Sequence, residues 1–284
     1  MKNYRSYFKA NLKLLLSVLG IMLLFDAAII MSGIENRFNG EFLISMLVFL
    51  GVTVAVMALL CMLIVRTANK MIPVAKIIDE KGMCPEAIEK YRQLNPKMGA
   101  KEHCVLASYY LAMEDTDSAE NELTAAGQLQ MYDTVTEVYY SELFTQMRLK
   151  QRRFYEAALM YNNHLSVNRA YCKAHPGAIA VEHYSNGALL EALNGNMGGS
   201  MDNINAMEKS IKKIRKLAFS RNTVLMGVYL IMRDYVNADS IKDRMLKDIE
   251  TFDRFDLKSD KQLIMQDIRS MQMMFDERTW NKYQ

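Results

Sequence analysis

The chain has 284 residues, 51% of them hydrophobic, with 35 Lys or Arg against 32 Asp or Glu and a net charge of +3. That length suggests about two folding units, and the 30 basic and 29 acidic residues beyond position 65 exclude the strongly basic footprint of a nucleic-acid binder. Cys61, Cys84, Cys104 and Cys172 form no C-x-x-C pair and no dense framework, which excludes a disulfide-held domain and points to free thiols in a reducing compartment.

In chain order, residues 1–11 form a short basic start. Residues 12–31 are a first membrane-span candidate, interrupted only by Lys13 and Asp26. Asp26 costs about 2.5–3.5 kcal/mol at mid-membrane, while the leucines and isoleucines around it each return about 0.3–0.6 kcal/mol. It also lies past the midpoint, so the span survives. A cleaved signal peptide is the rival reading, weakened by the poor cleavage site in "FDAAIIMSG". Residues 32–41 are a short loop. Residues 42–65, "FLISMLVFLGVTVAVMALLCMLIV", hold no charge and would reach roughly 36 Å as a helix, enough to cross a bilayer core of about 30 Å.

Lys2, Arg5, Lys9 and Lys13 precede the first candidate, and Arg66, Lys70, Lys76 and Lys81 follow the second; the loop between has only Arg37. Positive-inside logic therefore predicts a two-pass protein of the cell membrane with both ends in the cytoplasm. Gly51, Ala55 and Ala58 on one helix, and Ser17 and Gly20 on the other, give small faces through which the spans would pair. Asp26 is either an intramembrane functional acid or, on the preferred reading, a carboxyl tolerated near the outer interface.

Beyond residue 65 the pattern becomes short amphipathic helices, with all four prolines, Pro73, Pro85, Pro96 and Pro176, expected near helix ends. Internal similarity is visible. Ala107 and Tyr110 precede a break near Asp115, followed by Ala119, Leu123 and Ala126. The same shape returns with Phe154, Ala157, Tyr161 and His164, and again with Tyr229, Tyr235, Ala238 and Met245. Cys84-Pro85-Glu86-Ala87 with Tyr91 and Leu94 gives a plausible first unit, and Met197, Ser200, Ile204 and Met207 a weak fourth. The small residue early in each second helix lets it press on the first.

This arrangement resembles the tetratricopeptide repeat family, with a period of about 34 residues. The spacings here, 32, 38, 43 and 38 between positions 87, 119, 157, 200 and 238, make the units degenerate. The expected fold is all-α: an N-terminal two-helix transmembrane hairpin, then a tetratricopeptide-like α-solenoid of about five helix-turn-helix units over 66–259, then a capping helix in 260–284. Ile264, Ile268, Met271 and Phe275 form that last helix's apolar stripe. The resemblance implies a concave face lined by first helices that receives a peptide or helix. By offset along the repeats, Lys101, Ser108, Tyr139, Glu142, Gln146, Glu182 and Ser185 are expected on it.

No P-loop, zincin or nucleophile-elbow motif is present. His164, Cys172, His175 and His183 invite a metal reading, but only the Cys172–His175 pair has ligand-like spacing. Residues 208–221 form a basic amphipathic stretch whose Lys209, Lys212, Lys213, Arg215 and Lys216 could touch anionic lipid, although its Ile and Leu stripe equally serves packing. The expectation is a non-enzymatic, membrane-anchored interaction scaffold or adaptor with a protein or peptide partner and no cofactor. The alternatives are an accessory subunit of a membrane transport complex and a metal-dependent membrane enzyme.

Overall fold

A computed structural model describes residues 16, 20, 27, 31, 40–211, 218–251 and 258–280. Among these residues every regular element is a helix, and the chain divides into two compact units, 1–76 and 77–284.

The first unit is represented mainly by α1, Gly40–Lys81, which continues into the second. The helix does not stop where the uncharged run stops. Pro73, expected near a helix end, lies inside it instead, and nothing breaks the helix until Gly82, whose φ of 79° is a left-handed conformation that glycine adopts without steric cost. Between Ile44 and Leu63 eleven large apolar side chains stand exposed, Leu47, Val54 and Met62 among them. Among the described residues no helix is long and apolar enough to cross a membrane. Side chains in α1 are described without a break from 47 to 63 and again from 70 to 81. The first expected span, with Ser17 and Asp26, lies outside the described residues apart from positions 16, 20, 27 and 31. The expected two-helix hairpin is therefore not among the described features.

The second unit is a stack of helical hairpins. After α2 (Pro85–Leu94) come α3 (Ala100–Ala112) and α4 (Thr116–Gly127), α5 (Thr134–Lys150) and α6 (Phe154–Ala174), α7 (Ala178–Leu193) and α8 (Met197–Ile211), and α9 (Ala218–Ile231) and α10 (Tyr235–Thr251). Each odd-numbered helix from α3 to α9 packs on the even-numbered helix after it. The odd helices also touch one another in series, and α4, α6 and α8 each touch the next odd helix. The result is two layers, inner α3, α5, α7 and α9, and outer α4, α6, α8 and α10.

One turn recurs through the stack. The described residues with positive φ are Gly82, Glu114, Arg152, Gly195 and Arg233. Each lies five positions before one of the small residues Ala87, Ala119, Ala157, Ser200 and Ala238, which are at most 1% exposed. In the four complete hairpins the amide after the left-handed residue donates back to the carbonyl five positions earlier: Asp115 to Tyr110, Arg153 to Arg148, Asn196 to Glu191 and Asp234 to Tyr229, at 2.8–3.0 Å. This is the 6→1 closure that satisfies the last carbonyls of a helix. Asp115, Asn196 and Asp234 then cap the next helix, accepting from the amides of Ser118, Gly199 and Asn237. The small residue follows in the first turn of the next helix, where it is wholly enclosed. The uneven spacing of the units thus reflects variable helix length around an unvarying turn.

The C-terminal helix α11, Lys258–Phe275, does more than cover the last unit. It packs on α9 and α10 as an end cap would, and it also reaches back to α5. Its predicted stripe is buried: Ile264 is 7%, Ile268 4% and Phe275 5% exposed. Met271 and Leu189 of α7 both crowd Gly227 of α9. Farther back, Lys150 Nζ donates to Ser270 Oγ at 2.7 Å, a contact across 120 residues of sequence. The short α12, Glu277–Trp280, secures the end. Arg278 bridges Asp239 and Asp276, Arg152 stacks on Trp280 at 3.6 Å, and Phe275 stacks on Phe154 at 5.8 Å.

Candidate functional site: a groove on the inner layer

Two adjoining cavities open on the inner layer. One, of about 260 Å³, lies over α3, α5 and α7 and is lined by Ser108, Tyr139, Leu143, Gln146, Ile179 and Glu182. The other, of about 220 Å³, continues over α5, α7 and α9, with Gln146, Val181, Glu182, Ser185, Thr223 and Val224 in its wall. Gln146, Lys150, Ala178, Glu182 and Asp267 belong to both, so the two form one groove with α11 as its side.

Five of the seven expected positions meet here: Ser108, Tyr139, Gln146, Glu182 and Ser185. Lys101 does not. It is exposed at the start of α3 and lines a separate hollow with Tyr132 and Asp133.

Glu142 is the second correction. It is wholly buried beneath the groove. Its Oε1 accepts from Asn168 Nδ2 at 2.6 Å and lies 2.7 Å from His183 Nδ1; its Oε2 accepts from Asn186 Nδ2 at 2.9 Å. The reason is geometric. The helix α5 is hemmed in by α3, α4, α6 and α7, so the inward offset that leaves Gln146 open points Glu142 into the α6–α7 contact. A buried carboxylate persists only when its lone pairs are satisfied, and three side chains do that here. His183 stacks on Tyr161 with centroids 5.2 Å apart.

The electrostatics of the groove centre on Glu182. Burial pushes its carboxyl up to about 7, helped by the negative charges of Glu142 and Asp267 and opposed by Lys150. Asp267 is raised to about 6, again by burial first, with Lys150 pulling down and Glu114 pushing up. One side of Asp267 is open to solvent, so the push on it is the weaker of the two. Tyr139 is lifted to about 12 by burial and stays neutral. Lys150 commits its ammonium to Glu114 at 3.0 Å and to Ser270. Neither the Glu182 nor the Asp267 carboxyl makes a hydrogen bond or ion pair among the described residues.

The candidate metal ligands do not converge. Among the described residues no three His, Cys, Asp or Glu side chains are placed to hold an ion. His183 is taken up by Glu142, His175 stacks on Tyr171 at 4.5 Å, and His164 faces the Met160 carbonyl. Burial raises the Cys172 and Cys104 thiols to about 12, which leaves them inert as nucleophiles. His103 pairs with Glu122 at 2.7 Å. Of the basic stretch, Lys209 is described in α8, while Lys212, Lys213, Arg215 and Lys216 lie outside the described residues.

Sequence reasoning missed Lys150 and Asp267 as groove residues. Their place depends on the return of α11, which leaves no local mark. Glu142 did leave one: Asn168, His183 and Asn186 are polar residues on otherwise apolar helix faces.

No family model matches the chain, and no curated protein or solved structure does either.

Proposed function

We propose that the protein is a membrane-tethered interaction scaffold whose inner-layer groove binds a peptide or helix of a partner protein. The observation that carries this reading is the gathering of Ser108, Tyr139, Gln146, Glu182 and Ser185, from three successive inner helices, along one open groove. A stack of hairpins presents such a surface without catalytic machinery. The recurrence of one turn at five positions supports a tetratricopeptide-like repeat.

The tether is the uncharged stretch of α1. Its exposed residues, with Leu47 61%, Val48 62% and Met62 66% exposed, would cost about 25 cal/mol for every Å² of apolar surface held in water. Lipid removes that cost, and the basic residues flanking the stretch favour a cytoplasmic repeat unit. Tethering confines the groove near the bilayer and raises its effective concentration toward membrane partners.

Site-specific photocross-linking in cells tests the groove. A photoreactive residue at Gln146 or Ser185 should give a defined adduct with a partner, and one at the exposed outer-layer positions Tyr155 or Val236 should not. Adducts formed equally from both layers, or only from the outer one, would remove the groove as the binding surface.

A further inference from the structure

The groove has a charge preference. Glu182 projects from α7 into both cavities, and Asp267 faces the same space from α11. The surrounding charged and titratable groups are Lys150, Glu142 and Tyr139 of α5 and Glu114 of the α3–α4 turn. Lys150 is the local cation, but its ammonium is spent on Glu114 and Ser270. Glu142 is spent on His183, Asn168 and Asn186. Two carboxyl groups therefore face one water-accessible space with no hydrogen-bonding cation between them. Gln146, Ser108 and Tyr139 complete a polar wall, and Leu143, Ile179 and Val181 supply apolar surface beside it.

We infer that the partner segment is basic: it places a Lys or Arg side chain between Glu182 and Asp267 while its apolar residues lie along α5 and α7. This rests on the proposed groove and adds the chemistry of what fills it. The alkyl stem of such a residue suits the apolar wall, and its cationic head suits the two carboxyls. The raised carboxyls of the empty groove give the same answer from another direction, since each is held up by burial and by neighbouring negative charge that a bound cation would offset.

The sign of the pH dependence follows. A cation binds the ionised carboxylates, and Glu182 ionises near pH 7 in the free protein. Affinity should rise as pH increases from 5.5 to 8, opposite to the trend expected if a histidine of this protein had to be protonated for binding.

The test uses full-length protein in detergent and two labelled helical peptides: an alanine-rich 16-mer with Lys at every fourth position, and the same peptide with Gln in place of Lys. At pH 8 the Lys peptide should bind at least tenfold more tightly than the Gln peptide. Glu182→Gln or Asp267→Asn should each abolish most of that difference, and Glu137→Gln on an exposed part of α5 should leave it intact. Glu182→Gln removes a largely buried charge and Asp267→Asn one on the open side of the groove, so folding is expected to survive both; circular dichroism checks this. A second measurement needs no variant: carboxyl carbon NMR should show the Glu182 midpoint falling when the Lys peptide is added. Equal binding of the two peptides, or an unmoved midpoint, overturns the inference. If the Ser185 photoadduct persists while the carboxyl substitutions change nothing, the groove reading stands and the charge assignment alone fails.

Discussion

The same residue types meet opposite fates in the two units. In α1, Leu47, Val54 and Leu59 are more than half exposed; in the repeat unit, Leu106, Leu123 and Ile204 are fully buried. The difference lies in what each helix is given to pack against. Leu106 stands on a helix with a partner on either side, so its apolar face closes on protein. The apolar residues of α1 cover its circumference rather than one stripe, and most of those described stand exposed. The lesson is that a striped helix can close its apolar face on neighbouring protein, whereas a uniformly apolar one leaves most of its surface open, which on the proposed reading lipid covers.

The largest test of the protein-packed region is Glu142. Removing the carboxyl by Glu142→Ala strands Asn168, His183 and Asn186 in the interior, and breaking a buried charged network of this kind costs about 3–5 kcal/mol. Denaturant unfolding should show that loss. A cost under about 1 kcal/mol would mean that the network is dispensable and that the inner layer is held by apolar packing alone.

Next comes Glu182, where the sign is reversed. Its carboxyl, ordinarily near 4.5, titrates near 7 in the folded protein. Folding therefore favours the protonated form between those values, and the cost of ionising it is fully felt only above pH 7. Glu182→Gln should stabilise the protein at pH 8 by about 1–3 kcal/mol, nearer the lower figure because water reaches the cavity. The gain should vanish below pH 4.5. Thermal melts of both proteins at pH 4 and pH 8 decide it, and an equal gain at the two pH values would contradict ionisation of a buried carboxyl as its source.

The smallest effect probes the turns. A left-handed non-glycine residue costs about 1–2 kcal/mol, against about 0.5–1 kcal/mol of chain entropy for glycine. Arg233→Gly gives up only a surface pair with Glu277 at 2.8 Å, so it should gain roughly 0.5 kcal/mol. Arg152→Gly also gives up the stack on Trp280 and should gain less or lose stability. If Arg233→Gly destabilises strongly, the shared turn is not the unit that sets the repeat register.

Much of the repeat unit is legible in the sequence because its rules are local. A residue with no room for a large side chain, as at Ala119, Ala157 and Ala238, marks a helix crossing, and an Asp four positions before Ala119 and Ala238 marks the turn. The stripe Ile264, Ile268, Met271 and Phe275 is equally legible, since burial at intervals of four and three is a property of one helix. What that stripe is buried against is not local. It depends on Lys150 meeting Ser270 and on Phe154 meeting Phe275, contacts between distant segments. Glu142 falls into the expected groove set for a related reason: an offset along one helix says which way a side chain points, not how many neighbours flank that helix.

The central claim is that the apolar run of α1 lies in lipid while the repeat unit is built to hold a partner beside it. Alkaline carbonate extraction of membranes from cells making the full-length chain tests the first part most directly. The protein should remain in the membrane pellet, and a Val54→Arg, Leu59→Arg double substitution should shift it toward the supernatant. Release of the unmodified protein into the supernatant would contradict the account.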